Sequence, residues 1–328
     1  MKKIKNIAVL GSGVMGSQIA AHLTNAGYKV LLYDMDQKLC EKGIDFCKNL
    51  KPAPFYNPKN SSNVIAQNYN DNLENIKKCD WIIEVIAEKL EWKQELYKKI
   101  LPYLNDNAII TSNTSGLLVK ELTEGMDNSF KERFFVTHFF NPPRYLPLLE
   151  VVTSPEVDEN ILQRFCEFAD HRLGKRVTMC NDRPGFIGNR LGVYFIQRAF
   201  KATLDHRLSV EQADAMLGRP IGLPKTAVFA LMDLVGIDLI PHVTESLLEH
   251  LPKDDPFHRI AGTGEEIVIE MIETGYTGRK GNGGFYRLNR DNGEKVKEAR
   301  DLITGEYRKA DRRAAFPSAK MGRRGISS

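Results

Sequence analysis

A glycine-rich turn near the start of the chain constrains the fold more than any other feature. The sequence GSGVMG, from Gly11 to Gly16, directly follows an apolar run from Ile4 to Leu10 and opens a helical pattern that closes at Gly27. A second apolar run, from Lys29 to Tyr33, ends at Asp34. Strand, glycine turn, helix, strand and acidic residue, in this order, are typical of a dinucleotide-binding unit in a doubly wound parallel sheet.

Each of these positions has a physical task in such a unit. Gly11 permits the tight turn, Gly13 lets the backbone approach a pyrophosphate, and Gly16 lets helix and strand pack closely, while the helix N-terminus faces the phosphates. Asp34 would hold the ribose hydroxyls and repel a 2′-phosphate, and no Arg occurs within ten residues after it. NAD is therefore predicted over NADP. The predicted cofactor-binding residues of this unit are Gly11, Gly13, Val14, Met15, Gly16 and Asp34.

Strands and helices keep alternating as far as residue 180. Predicted strands cover 81–86, 108–111, 134–140, 146–152 and 176–180, and predicted helices cover 37–50, 90–100 and 156–172. The segment 51–63 contains three prolines and is predicted to be a loop or short hairpin. The alternation predicts an α/β domain with a Rossmann-type doubly wound parallel sheet over residues 1–183.

The pattern changes after residue 183. The segment 181–185 has the composition of a hinge, and predicted helices then cover 187–204, 210–216, 227–251 and 265–273. This predicts an all-α C-terminal domain over residues 184–290. The last segment, 291–328, carries ten Lys or Arg against six Asp or Glu and has few apolar residues, so we expect a poorly ordered basic tail outside the core.

Charge and cysteine usage narrow the class of protein. The excess of basic residues in the tail accounts for the whole formal net charge of +4, so no nucleic-acid partner is expected. Five cysteines, without CxxC or Cys/His spacing, are typical of reduced thiols and predict no metal site. The N-terminal apolar run is cut by Gly11, and the longest apolar helical segment carries charged residues, so neither a signal peptide nor a membrane span is predicted. A cytoplasmic enzyme or binding protein is expected.

Two ionisable residues lie inside runs that are otherwise almost wholly apolar. His138 lies within 134–140 and Glu150 within 146–152, each run having the composition of a buried strand, with an Asn-Pro-Pro turn between them. A lone buried carboxylate is costly, so we expect Glu150 to accept a hydrogen bond from one nitrogen of His138. The other nitrogen would then take a proton. Two interpretations stay open here, a purely structural pair and half of an acid–base catalyst.

A short polar segment follows the predicted strand 108–111. It reads SNTSG, from Ser112 to Gly116. The carboxyl ends of strands line the ligand crevice of an open parallel sheet, so Asn113 and Ser115 are candidates to face a cofactor or substrate. The alternative for Ser115 is that it merely caps a helix.

Eight segments occur in a distinctive order along the chain: GSGVMGS at Gly11, IIEVIAEKLEWK at Ile82, SNTSG at Ser112, THFFNPPRYLPLLEVV at Thr137, LGKRVTMCNDRPGFIGNR at Leu173, GRPIGLP at Gly218, LMDLVGID at Leu231 and GRKGNGGFY at Gly278. Through them the sequence resembles the 3-hydroxyacyl-CoA dehydrogenase family from Met1 to about Arg290. The sequence RYLPLLE and the segment that follows Tyr286 are most similar to the dehydrogenase part of bacterial multifunctional fatty-acid β-oxidation proteins.

The resemblance implies a set of roles for matching positions. His138 corresponds to the family's catalytic base and Glu150 to its paired carboxylate. Ser115 would meet the substrate oxygen and the nicotinamide. The remaining implied site residues are Asn189 in the active site, Glu88 and Lys93 beside the nicotinamide ribose, and Lys280 closing over the site from the second domain. The helical domain of the family also forms a homodimer contact.

The resemblance implies NAD-dependent oxidation of (S)-3-hydroxyacyl-CoA to 3-oxoacyl-CoA in fatty-acid β-oxidation, with an acyl-CoA as substrate and a hydratase or thiolase as a partner. Three alternatives stay open: a short-chain 3-hydroxybutyryl-CoA dehydrogenase, a same-fold dehydrogenase of a small hydroxy acid such as gulonate, and an NAD-binding protein without catalysis. The segment 51–63 departs from the family. Many members have a Lys-rich helical hairpin at this place that touches CoA, and this sequence has a segment with three prolines instead.

Overall fold

The computed structural model of the protein describes residues 4–290, 294–311 and 316–317. The chain divides into two compact units, Met1–Ile187 and Gly188–Ser328, called here the first and second units. This division falls four residues after the predicted boundary at 183.

The described part of the first unit contains an eight-stranded sheet, with the strands in the order β3-β2-β1-β4-β5-β6-β7-β8. Its strands are β1 Asn6–Leu10, β2 Lys29–Asp34, β3 Val64–Asn68, β4 Trp81–Glu84, β5 Ile109–Ser112, β6 Phe134–Phe139, β7 Leu148–Val152 and β8 Arg176–Cys180. Neighbouring strands are parallel, except that β6 and β7 form an antiparallel pair. The predicted Rossmann-type sheet is therefore confirmed.

Helices cover both faces of this sheet: α1 Val14–Asn25, α2 Gln37–Asn49, α3 Leu90–Ile100, α4 Val119–Leu122, α5 Asn128–Lys131 and α6 Glu159–Leu173. Helix α6 shows how local sequence fixes such elements. The Asp158 carboxylate accepts hydrogen bonds from the first turn, and Gly174 ends the helix in the left-handed conformation. Phe165 of α6 then packs edge-on against Trp81 and Phe135 of the sheet, each with ring centroids 5.0 Å apart.

The edge strand β3 was missed by the sequence analysis. A 3₁₀ helix, Pro58–Asn63, ends the proline-bearing segment, and β3 follows directly and pairs with β2 alone. Val64, at 7% exposure, is the one buried residue of this strand. An edge strand with one face half-covered lacks the continuous apolar run that identified the central strands.

The second unit is mostly helical, as predicted, with α7 Gly188–Asp205, α8 Val210–Met216, α9 Phe229–Val235, α10 Leu239–His250 and α11 Glu265–Glu273. The single helix predicted over 227–251 is wrong. Gly236, at φ +115°, ends α9, and a separate helix, α10, begins at Leu239. A left-handed glycine cannot continue an α-helix.

A three-stranded antiparallel sheet completes the described part of the second unit: β9 Tyr286–Asn289, β10 Val296–Arg300 and β11 Tyr307–Lys309. The expectation of a basic tail outside the core is thus wrong for 294–311, because Ala299 is fully buried and Leu302 is 9% exposed within the core of this unit. Arg308 also pairs with the buried Glu211 at 2.8 Å. Residues 291–293, 312–315 and 318–328 of the predicted tail lie outside the described residues.

Within the part of the chain that the structure covers, no helix has the length and apolar character needed to cross a membrane. In the same residues, no group of three or more His, Cys, Asp or Glu side chains is arranged to hold a metal ion.

Candidate active site

The antiparallel pairing of β6 and β7 places His138 directly opposite Glu150. Nδ1 of the imidazole lies 2.7 Å from Oε2 of the carboxylate, and both residues are buried, at 7% and 1% exposure. A carboxylate only accepts hydrogen bonds, so Nδ1 carries the proton and Nε2 is the nitrogen that can take another. The expected contact between the two side chains is therefore present.

The surroundings of this pair fix both side chains. The backbone N–H of Ile187 donates to Oε1 of Glu150 at 3.0 Å. Phe140 and Phe186 pack against the imidazole ring, with centroids at 4.5 and 5.8 Å. The pKa of the nearby Cys180 thiol is raised to about 11, mainly by burial and to a smaller extent by the negative charge of Glu150. This thiol therefore stays protonated at neutral pH.

The glycine turn has the shape that a pyrophosphate requires. A methyl group on Gly11 would lie 2.6 Å from the carbonyl oxygen of Val85, and one on Gly16 would lie 1.9 Å from that of Gly11. On Gly13, by contrast, a methyl group would meet no described atom within 4 Å. Among the described residues, no side chain caps the N-terminus of α1 at Gly13. Open space at an uncapped helix N-terminus fits the phosphates of a dinucleotide.

Asp34 lies at the end of β2, beside this turn. Ser12 donates both its backbone N–H and its hydroxyl to Oδ2 of Asp34, at 2.8 and 2.6 Å. The N–H of Met35 donates to the other oxygen at 2.8 Å. Ser12 was not singled out from the sequence, since the variable position inside a glycine motif carries no recognisable signal of its own.

The segment after β5 is held by Glu88. Its Oε1 accepts the backbone N–H groups of Ser115 and Gly116, at 2.8 and 3.2 Å, and lies 3.4 Å from the Ser115 hydroxyl. The helix-cap interpretation of Ser115 is wrong, because the N-cap of the next helix, α4, is Leu118. The structure therefore brings the candidates Glu88 and Ser115 together.

Asn113 connects this segment to β6, the strand that carries His138. Its side-chain oxygen accepts the N–H of Phe139 at 2.9 Å, and its own N–H donates to the carbonyl of Glu84 at 2.8 Å. Asn113 therefore connects the carboxyl ends of β4, β5 and β6. This is the edge at which a doubly wound sheet binds its ligands.

Lys93 is buried, at 1% exposure, and its ammonium lies 2.7 Å from Glu84 and 3.3 Å from Glu88. Glu84 was missed by the sequence analysis. The signal was present, since Glu84 ends the apolar strand Trp81–Glu84 much as Glu150 interrupts its own apolar run.

Lys175 is a third residue, after Ser12 and Glu84, that the sequence analysis missed. Its ammonium donates to the carbonyls of Pro143 and Leu146, the latter at 2.8 Å, and lies 5.4 Å from the ring centroid of Phe139. Burial lowers the pKa of Lys175 to about 8. Lys175 thereby holds the turn of the β6–β7 hairpin that carries His138.

Comparison with known proteins agrees with this geometry. Residues 6–183 match the family described as 3-hydroxyacyl-CoA dehydrogenase, NAD binding domain, and residues 185–288 match its C-terminal domain. The chain belongs to the 3-hydroxyacyl-CoA dehydrogenase family. The first unit is accordingly its NAD-binding domain, and the predicted cofactor is confirmed at the level of the family.

Three similar proteins illustrate the range of this family. A Rickettsia felis protein named as a fatty acid oxidation complex trifunctional enzyme is 40% identical over 319 residues, which are 94% of this chain and 44% of that protein. A Deinococcus radiodurans protein named as a 3-hydroxyacyl-CoA dehydrogenase is 39% identical over 88% of this chain and 84% of its own length. The crystal structure of 3-hydroxybutyryl-CoA dehydrogenase from Escherichia coli is 26% identical, with a TM-score of 0.71, over 85% of this chain and 58% of that chain. The chain thus spans less than half of the Rickettsia relative.

Two of the implied site residues of this 3-hydroxyacyl-CoA dehydrogenase family member lie in the second unit. Asn189 is in the first turn of α7, and Lys280 lies in the loop between α11 and β9. The Lys280 ammonium pairs with Asp238 at 2.7 Å. Asp233 accepts the N–H groups of Phe285 and Tyr286, at 2.7 and 2.9 Å, and so anchors the end of the same loop. The roles of Asn189 and Lys280 in the site stay predictions.

Proposed function

We propose that this protein oxidises the C3 hydroxyl of an (S)-3-hydroxyacyl-CoA to a ketone, using NAD. The observation that carries the proposal is the buried His138–Glu150 pair, with Nδ1 and Oε2 2.7 Å apart, in the same domain as the glycine turn. When bound, NAD supplies the acceptor for the hydride that leaves C3. The hydroxyl proton must depart in the same reaction, and a neutral imidazole can accept it near neutral pH.

The two residues divide this task. In the proposal, Nε2 of His138 accepts the hydroxyl proton, while Glu150 holds Nδ1–H and stabilises the imidazolium that forms. A hydrogen bond of 2.7 Å to a carboxylate that is 1% exposed supports this role, because a buried charge interacts strongly with its partner. The proton returns to solvent after the ketone leaves.

The remaining predicted residues position substrate and cofactor in the proposal. The Ser115 hydroxyl and the Asn189 amide hold the substrate oxygen, and Glu88 and Lys93 lie by the nicotinamide ribose. Lys280 closes over the site, as the resemblance implies. The contacts of Glu88 with the Ser115 backbone support a shared site for these two residues.

The wider context is also proposed. The name of the Rickettsia relative supports a place in fatty-acid β-oxidation with a hydratase or thiolase as partner. A homodimer through the helical unit is supported by the exposed apolar side chains of Leu191, Leu234 and Val235, at 64%, 51% and 57% exposure. The free thiol state of the cysteines in the structure supports a cytoplasmic location.

The test is the appearance of NADH absorbance when NAD is mixed with 3-hydroxyacyl-CoA substrates of increasing chain length. 3-Hydroxybutyryl-CoA is included as a second candidate, because the Escherichia coli structure with a TM-score of 0.71 carries that substrate in its name. Activity with a long chain but not with the four-carbon substrate, or the reverse, decides between the two. Activity with a free hydroxy acid alone would overturn the proposal, and His138→Gln serves as the inactive control.

A further inference from the structure

Glu84 is a completely buried carboxylate at the carboxyl end of β4. Its Oε1 accepts hydrogen bonds from the ammonium of Lys93 and from the N–H of Ile86, both at 2.7 Å. Its Oε2 accepts the hydroxyls of Tyr97 and Ser112, at 2.8 and 2.6 Å. A buried charge is costly unless it is paired and hydrogen-bonded, and within the described residues this one meets both conditions.

The interaction continues from Glu84 towards the turn that carries Ser115. The Lys93 ammonium also lies 3.3 Å from Oε2 of Glu88. The other oxygen of Glu88, Oε1, accepts the backbone N–H groups of Ser115 and Gly116. An unbroken chain of ionic contacts and hydrogen bonds therefore connects the buried carboxylate to this turn.

The two carboxylates hold Lys93 unequally. The side chain of Glu88 is 42% exposed and its contact with Lys93 is the longer one, so water weakens that attraction. Glu84 is shielded from solvent and lies 0.6 Å closer (2.7 against 3.3 Å). The position of the lysine therefore depends chiefly on Glu84. Glu88 is held by Lys93 from one side and by the Thr114 hydroxyl, which donates to its Oε1 at 2.5 Å, from the other.

We propose that Glu84 is a positioning residue of this site. Its carboxylate fixes Lys93, Lys93 fixes Glu88, and Glu88 holds the backbone of Ser115 and Gly116 so that the Ser115 hydroxyl keeps its orientation. The part of the proposal that concerns reaction rates rests on the proposed function. The part that concerns the turn does not, because it can be measured without substrate.

The first measurement is amide hydrogen exchange of residues 113–118 in the 328-residue chain without ligand. We expect Glu84→Gln and Lys93→Met each to speed exchange at Ser115 and Gly116 by about tenfold or more, since each breaks the chain of contacts. Tyr97→Phe is the matched control, because it removes a donor from the same carboxylate on the oxygen that does not face Lys93. It should leave the exchange of this turn within roughly threefold of wild type.

The second measurement is a double-mutant cycle on kcat between Glu84→Gln and Ser115→Ala. If Glu84 acts through the Ser115 turn, the loss caused by Glu84→Gln shrinks to about threefold or less once the hydroxyl is gone. A merely structural role would instead multiply the two losses in full. Full multiplication would overturn the proposal.

The outcomes of the two measurements are separable. Unchanged exchange in Lys93→Met, in protein with a native circular dichroism spectrum, overturns the positioning chain, and this variant decides the matter if Glu84→Gln does not fold. If wild-type protein reduces no NAD with any 3-hydroxyacyl-CoA, the proposed function fails. The exchange data then still decide whether Glu84 holds the turn.

Discussion

Ser12 gives two hydrogen bonds to a single oxygen of Asp34, from its backbone N–H at 2.8 Å and from its hydroxyl at 2.6 Å. The carboxylate is thereby fixed beside the glycine turn, in the place where the ribose of a dinucleotide lies in this fold. A 2′-phosphate at that position would be repelled, and the fixed orientation prevents the carboxylate from turning away.

We expect a clear preference for NAD over NADP, which Asp34→Ala erodes because the repelling charge is lost. Ser12→Ala should reduce the preference less, by roughly threefold to tenfold, since the hydrogen bonds from the backbone N–H groups of residue 12 and Met35 remain. The measurement is the ratio of kcat/KM for the two cofactors. Equal values in the wild-type protein would contradict the assignment of Asp34.

His138→Gln should lower kcat by roughly 10²- to 10⁴-fold, as expected for the loss of a general base. Glu150→Gln should lower kcat almost as much, because it removes the charge that stabilises the imidazolium. Neither change should alter the Kd for NAD by more than about threefold, since neither side chain belongs to the glycine turn. Stopped-flow single-turnover rates and NAD titrations check both statements. A His138→Gln enzyme with most of its activity would rule out this route for the proton.

Two glycine substitutions should separate cofactor binding from folding. Gly13→Ala places a methyl group in open space on a backbone with φ −63°, so Tm should stay near the wild-type value while the Kd for NAD rises by about tenfold or more. Gly16→Ala places its methyl group 1.9 Å from a carbonyl oxygen and should lower Tm by several degrees. Thermal melts and NAD titrations check the contrast, and equal effects of the two variants on Tm would contradict it.

Because Lys175 is buried, we expect the stability of the protein to rise with pH in the alkaline range. The pKa of Lys175 is about 8 in the folded protein, against an ordinary value of 10.5 for a lysine exposed to water. The unfolded chain therefore holds more protons between these two values, and the free energy of unfolding gains a contribution as pH rises from about 8 to 10.5. This contribution, on the order of 3 kcal/mol, is lost again as pH falls through 8.

Lys175→Met is the control for this prediction, because other groups also titrate in the alkaline range. The difference in unfolding free energy between wild type and Lys175→Met, measured by urea denaturation, should shift in favour of the wild type between pH 8 and pH 10. A difference that stays constant over this range would show that Lys175 titrates normally.

The strands β10 and β11 should be part of the stable fold. A chain that ends at Arg290 lacks both strands, loses the buried Ala299 and exposes the core around it, so Tm should fall by several degrees. A chain that ends at Asp311 keeps both strands and is the control, with Tm near the value of the 328-residue chain. Equal melting temperatures for the two truncated chains would show that this sheet contributes nothing to stability.

The sequence allowed prediction of those parts of the site that combine an unusual residue with a regular pattern. His138 and Glu150 were recognisable because each interrupts a long apolar run, and the glycine turn because strand and helix flank it. Glu84 carries the same signal, because it interrupts the apolar run of the strand predicted over 81–86, but no partner for it was recognised in the sequence. Its importance depends on Lys93 and Tyr97, which α3 brings to it from nine and thirteen residues further along the chain.

Strands with little apolar content could not be predicted in the same way. The sequence VKEAR of β10 reads as a solvated charged segment, but Arg287 pairs with Glu298 at 2.6 Å and Ala299 points into the core. Such a strand is stabilised by neighbours from distant parts of the chain, and local composition does not record them. The break at Gly236 was hidden for a similar reason, because apolar residues continue on both sides of it.

The pairing of His138 with Glu150 across β6 and β7 makes the length of the connection between the strands, residues 140–147, a chemical requirement. Side chains alternate between the two faces of a sheet, so a slip of one residue would place Leu149 or Val151 opposite the imidazole and turn the carboxylate to the other face. Individual turn residues can vary without this consequence, whereas a single-residue insertion or deletion cannot be absorbed by the strands. Among proteins that evolve from this one, the hairpin should accumulate substitutions but neither insertions nor deletions.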